Sequence, residues 1–118
     1  MTLDNLRRLC LALPGATEQI QWGADLVFKV GGKMFCVANT EAGGVAMSFK
    51  CDDETFATLV EREGVIPAPY LARAKWVALE RFDTLPVREL TPLVKRSYEL
   101  VAAKLPKSAR AKLTLPKR

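Results

Sequence analysis

The chain contains no histidine. That absence removes Ser-His-Asp and Cys-His relays, His-bearing zinc sites and the usual acid-base residue of neutral pH. Its three cysteines, Cys10, Cys36 and Cys51, are odd in number and show no C-x-x-C spacing, so neither a disulfide nor a zinc framework is expected. Reduced, mostly buried thiols are the default. Phosphate loops are missing too: Val30-Gly31-Gly32-Lys33 lacks the first glycine, the spacing and the following Ser or Thr, and no G-x-G-x-x-G or G-x-S-x-G occurs. No apolar run approaches the roughly 20 residues that span a bilayer, and the N-terminus lacks the basic-then-apolar order of a signal peptide. The expectation is a cytoplasmic protein with no membrane partner. No cofactor, metal set or catalytic group is implied, so an enzyme is the least supported class.

What remains is ordinary in bulk: 118 residues, 49% hydrophobic and 26% charged, enough for one domain with a single core. The formal charge of +5 is unevenly placed. Lys104, Lys107, Arg110, Lys112, Lys117 and Arg118 supply six bases and no acid to the C-terminal end, leaving twelve bases against thirteen acids in residues 1 to 103. The division expected is a near-neutral folded domain over residues 1–105 and a flexible, Pro-punctuated basic tail over residues 106–118. Such a tail either gathers onto phosphates by counterion release, with a log-log salt slope of up to about −5, or serves only to keep the chain soluble.

The most specific local pattern is Val27-Phe28-Lys29-Val30-Gly31-Gly32-Lys33-Met34-Phe35-Cys36-Val37, two alternating runs around a diglycine. A two-residue primed turn there pairs Val30 with Lys33, Lys29 with Met34, Phe28 with Phe35 and Leu26 with Val37. One face then carries Leu26, Phe28, Val30, Phe35 and Val37, and must be covered. The other carries Asp25, Val27, Lys29, Met34, Cys36 and Ala38.

Around this hairpin, Leu3, Leu6, Leu9, Cys10 and Leu13 recur at helical spacing until Pro14-Gly15. Thr17 to Trp22 reads as a short strand, with Trp22 expected in the core. Val45 to Lys50 alternates Val45, Met47 and Phe49 with Ala46, Ser48 and Lys50. Asp52-Asp53-Glu54 begins a helix carrying Phe56, Leu59 and Val60, which Gly64 ends. These acids suit the positive end of a helix dipole better than a metal site, since consecutive residues point in different directions. Val65 to Tyr70 is a proline-stiffened extended connector, and Lys75 to Glu80 a strand with Val77 and Leu79 inward and Trp76 and Ala78 outward. A last helix begins near Pro86, with Thr91 as cap and Pro92 in the first turn offering a restart, and carries Leu93, Val94, Tyr98, Leu100, Val101 and Leu105. Ser97-Tyr98 is a weak catalytic candidate, because a tyrosine in an apolar helical stripe usually supplies core area with its hydroxyl at the edge. The sum is an α+β two-layer sandwich, an antiparallel sheet with helices on one face in the order α-β-β-β-β-α-β-α. The opposite face is expected to be open and to display Lys29, Met34, Cys36, Ser48, Lys50 and Trp76.

Four ordered blocks carry a resemblance: Phe28 to Phe35, Ser48-Phe49-Lys50-Cys51-Asp52, Pro67 to Leu71 running into Lys75-Trp76-Val77, and Ser97 to Val101. Together they resemble the MmcQ/YjbR family, over about Leu6 to Leu105. A looser block, Gln21 to Asp25, lacks the histidine associated with many members. The resemblance implies a CyaY-like or secretion-chaperone-like α+β fold, and DNA binding through likeness to the double-wing domain of a phage transcription factor. On that reading the wing is Lys29 to Lys33. Lys50, Arg73 and Lys75 would add backbone contacts, and Trp76 an apolar or stacking one. The alternative for each is a solvated strand lysine or, for Trp76, a core residue. The expected function is therefore binding of double-stranded DNA by an open sheet face, a hairpin wing and a basic tail. The alternative is a protein-interaction or chaperone-like module, self-associating in its simplest form, that uses Val27, Met34, Cys36 and Trp76.

Overall fold

Gly31 and Gly32 form the expected turn, with φ of +58° and +79° and Val30 opposite Lys33. The computed structural model describes residues 1–41 and 43–114, the side chain of Thr114 excepted. The turn joins β2 (Asp25–Val30) to β3 (Lys33–Asn39). Lys29 pairs with Met34 as expected, but Phe28 pairs with Cys36, so Phe35 is an extra residue in β3 and forms a β-bulge. The bulge reverses the expected parity from Cys36 onward. Cys36 and Ala38 lie in the main core, and Val37 lies on the opposite face. The expected open-face position of Cys36 and core position of Val37 are thereby both corrected. The physical reason is that Phe35 and Cys36 both enter the core, Phe35 meeting the Tyr98 ring edge-on with centroids 5.4 Å apart.

A hydroxyl completes the backbone bonding at this point. Cys36 faces Phe49 of β4 (Met47–Lys50), so the next ladder step would join Phe35 to Lys50. Instead Ser97, fully buried, stands between them: the Lys50 N–H donates to its Oγ at 2.9 Å, and its hydroxyl donates to the Phe35 carbonyl at 2.6 Å. Ser97 lies on α3 (Val87–Ala102), so the same residue fastens that helix to two strands. Tyr98 beside it donates its hydroxyl to the Pro14 carbonyl at 2.5 Å, which gives both residues of the Ser97-Tyr98 pair structural partners.

The remaining elements are α1 (Leu3–Leu11), β1 (Ala16–Gln21), α2 (Asp53–Leu59), β5 (Val65–Pro67), a 3₁₀ turn (Ala72–Ala74), β6 (Trp76–Leu79) and α4 (Lys107–Thr114). All strands join one antiparallel sheet in the order β1-β2-β3-β4-β6-β5. Leu6 and Cys10 of α1, Leu59 of α2, and Leu90, Val94 and Val101 of α3 cover one face over Phe28, Phe35, Phe49 and Val77. The fold is α+β, with β5 and α4 added to the expected order. Thr2 caps α1 through its hydroxyl, and Asp52 caps α2 by accepting from the Thr55 N–H at 2.8 Å. No restart occurs at Thr91, and α3 runs through Pro92, giving up the bond that Pro92 would donate to the Arg88 carbonyl. Part of the segment expected as a flexible tail is helical, since α4 sets Leu113 against Gly15 and Ala109 toward the core. Lys117 and Arg118 lie outside the described residues.

The second face is only partly open. Val27, Val37, Ala68, Trp76 and Ala78 form a smaller cluster there, flanked by Met34, Val45, Ile66 and Leu71. The chain after β5 folds back over one end of it: the Ala68 N–H donates to the Trp76 carbonyl at 3.0 Å, and the Trp76 N–H to the Leu71 carbonyl at 3.2 Å. Trp76 has the expected parity but is only 4% exposed, so its expected display on an open face is corrected. Trp22 departs in the other direction. Expected in the core, it stands in the β1–β2 turn at φ +52° with 66% of its surface exposed.

Candidate functional site

Two neighbouring cavities share Met34 as a lining residue: one opens on the second sheet face, and the other lies at the sheet end, where Val101 and Leu105 of the helix-covered side meet Met34 and Trp76 of the second. The larger, about 510 Å³, lies within the ~300–1,000 Å³ range of small-molecule sites. Its floor is apolar, built from Met34, Val37, Val45, Ala68, Leu71 and Ala78. Trp22 and Tyr70 line it as exposed aromatic side chains, Tyr70 entirely in solvent. Both hold left-handed backbone, φ +52° and +67°, where a side chain costs roughly 1–2 kcal/mol. Strain of this kind persists where the surrounding structure holds a residue in place. Asp25 is the one charged residue lining this groove among those described.

The smaller cavity, about 300 Å³, is a basic hollow lined by Lys33, Met34, Lys50, Trp76, Val101, Lys104 and Leu105. Its three lysines come from the start of β3, the end of β4 and the turn after α3, so the tertiary fold alone brings them together. Among the described residues no carboxylate lines it, although Asp53 is near enough for its charge to act on Lys50. Burial, and after it the charge of Lys104, holds Lys50 below the ordinary lysine range. Lys50 Nζ donates to the Ala74 carbonyl at 2.6 Å, which leaves two of its three N–H groups for an anion.

Of the six residues expected from sequence, Lys33, Lys50 and Trp76 meet in this hollow. Lys29 shares the face, paired with Met34, but lines neither cavity. Arg73 is exposed on the 3₁₀ turn, next to the Ala74 carbonyl that holds Lys50. Lys75 turns away, its ammonium 5.2 Å from the centre of the Phe56 ring. Sequence reasoning places Lys104 only in the basic C-terminal end and misses Trp22 and Tyr70 as site residues. The available clue to Trp22 was the glycine that follows it at the end of a polar strand, a turn pattern more than a core one.

All three cysteines are buried. The hydrogen bond that the Cys36 thiol makes to Cys10, and then its burial, push Cys36 well up, and burial pushes Cys51 up to about 12. Among the described residues, no helix is long and apolar enough to cross a membrane.

The model of the YjbR family matches residues 11–100. The chain belongs to the YjbR family. It is 28% identical over 113 residues to the "Uncharacterized protein YjbR" of Escherichia coli strain K12, spanning 93% of this chain and 95% of that protein. The same figures hold for the Escherichia coli O157:H7 protein of that name. A solved structure, Deinococcus radiodurans protein DR2400 with its DUF419 domain, superposes with a TM-score of 0.84 at 30% identity, covering 95% of this chain and 87% of that one. The YjbR match takes in the groove floor and the hollow's Lys33, Lys50 and Trp76, whereas Lys104 lies beyond it.

Proposed function

We propose that this YjbR-family protein is a nucleic-acid-binding module whose contact surface is the second sheet face together with the adjoining sheet end, where Lys33, Lys50 and Lys104 hold backbone phosphates. One observation supports the reading above others: three lysines from separate elements line one hollow, and among the described residues no carboxylate lines it. The partial negative charge at the C-terminal end of α3, about half an elementary charge, is small beside them. The near-neutral charge of residues 1–103 matters less than this local excess, because contacts beyond about 10 Å are screened at ordinary salt. Lys107, Arg110 and Lys112 of α4, all exposed, extend the basic surface.

The test is fluorescence anisotropy with labelled DNA and RNA across a salt series, using the full chain and the triple variant K33E/K50E/K104E. Binding that weakens with salt, and is lost in the variant, is the expected result. Equal binding by both proteins, or none by either at low salt, refutes the proposal.

A second reading rests on the apolar floor of the larger groove: self-association through that face. Light scattering over a concentration series tests it, with a dimer that dissociates on Met34→Glu as the supporting result. A strict monomer rejects it.

A further inference from the structure

We propose that the ligand is single-stranded, with unpaired bases in the groove against Trp22 and Tyr70 and the adjoining phosphates in the lysine hollow. The inference rests on the nucleic-acid reading above and adds which form of nucleic acid fits. The two cavities differ in chemistry but share a wall, Met34. One is apolar with exposed rings, and the other holds three cations. A ligand that spans them carries an apolar group beside an anion, and a flat base beside a phosphate, the repeating pattern of a nucleotide chain, meets both. Base–aromatic stacking is tolerant of sequence, because every base has a π-face.

Three features argue for an unpaired strand over a duplex. The faces of paired bases are already stacked and become available only when a step is unstacked, at a few kcal/mol. The carboxylate of Asp25 lines the groove but not the hollow, so a phosphate is repelled from the first and drawn to the second. That ordering places the bases in the groove. Finally, Trp22 and Tyr70 are held exposed in strained backbone, in contrast to Trp76, which the fold covers. An acyl chain with an anionic head would share the apolar-plus-cation pattern, but it gains most from enclosure. The rings here stand in solvent.

The experiment titrates labelled oligothymidylate, oligouridylate and a mixed-sequence duplex of equal length into the full chain, W22A, Y70A and K33E/K50E/K104E, following anisotropy and tryptophan emission. Both aromatic positions are exposed, so these variants retain the core. The expected results are tighter binding of the single strands than of the duplex, quenching of Trp22 emission, and a loss of at least about five-fold in each aromatic variant. The lysine variant should lower the salt slope by about 2. If the duplex binds as tightly as the single strands while W22A and Y70A leave affinity unchanged, the single-strand assignment fails and the phosphate reading stands. If no nucleic acid binds at low salt, both fail. Tighter binding of dodecyl phosphate than of the oligonucleotides would overturn the assignment in favour of an amphiphilic anion.

Discussion

Replacing Ser97 by alanine removes one oxygen and leaves two backbone groups without partners. In the wild type that oxygen accepts from the Lys50 N–H at 2.9 Å and donates to the Phe35 carbonyl at 2.6 Å, in a place fully closed to solvent. Ser97 occupies the ladder position that the bulge at Phe35 breaks, and an alanine methyl there offers neither group a partner. An unpaired buried backbone group costs about 1–3 kcal/mol. With partial relaxation, the pair should cost about 2–4 kcal/mol, a large fraction of the ~5–15 kcal/mol that holds a domain together. For a chain of this size roughly 4 °C of Tm accompanies each kcal/mol, so a fall of about 8–16 °C is expected in thermal denaturation. Ser97→Cys, whose thiol bonds weakly, should fall between the two. Native-state hydrogen exchange supplies a local readout: the Lys50 amide should lose protection beyond the change in global stability. A Tm for Ser97→Ala within about 2 °C of wild type would refute the bridging account. So would a large fall in Tm with no selective exposure of the Lys50 amide, because it would point to general packing.

Three further outcomes follow from named geometry. Gly31→Ala should destabilise by about 2–4 kcal/mol, since φ is +58° and the new Cβ would lie 2.6 Å from a Leu105 methyl; Gly32→Ala, at φ +79° with open space around it, should lose only about 1–2 kcal/mol, and urea midpoints compare them. Tyr70→Gly should leave stability unchanged or raise it by up to about 1 kcal/mol, because the exposed ring buries nothing and the left-handed backbone is relieved, yet it should weaken oligonucleotide binding; a clear loss of stability would show that the ring packs. Asp52→Ala should cost about 1 kcal/mol at neutral pH. The bond from the Thr55 amide holds the Asp52 carboxyl below its unfolded value of about 3.9, so its contribution is full above that value and disappears as pH falls through the depressed one. Wild type and variant should therefore converge in strong acid, and a gap that persists there would count against the cap.

Local patterns made much of this legible. The diglycine turn, Asp52 as a cap, Pro14-Gly15 as a stop, and the alternation of Met47 and Phe49 with Ser48 and Lys50 all report through neighbours a few residues away. The bulge at Phe35 was not legible. Its cause is non-local: Tyr98 offers its ring edge, Cys10 faces Cys36, and Ser97 takes over the broken ladder, all from elements distant in sequence. One extra residue in a strand moves every later side chain to the other face, so a strict period of two carried Cys36 and Val37 to the wrong sides. Of the site, Lys50 follows from strand parity and Lys33 from the wing that the resemblance implies, but Lys104, Trp22 and Tyr70 do not, because nothing in their immediate surroundings places them beside the same cavities.

By itself, then, the amino-acid order determined the class of the fold, the places where the chain turns and caps, the family to which it belongs and the kinds of chemistry it has no residues for. Each depends on short-range periodicity or on which side chains are present at all. Tertiary structure decided the rest: which face Cys36 and Val37 occupy, that Trp76 is covered while Trp22 and Tyr70 are not, and that lysines 33, 50 and 104 share one hollow. Convergence of like charges, and the exposure of a ring, depend on what long-range packing brings alongside, and no local stretch of sequence contains that information.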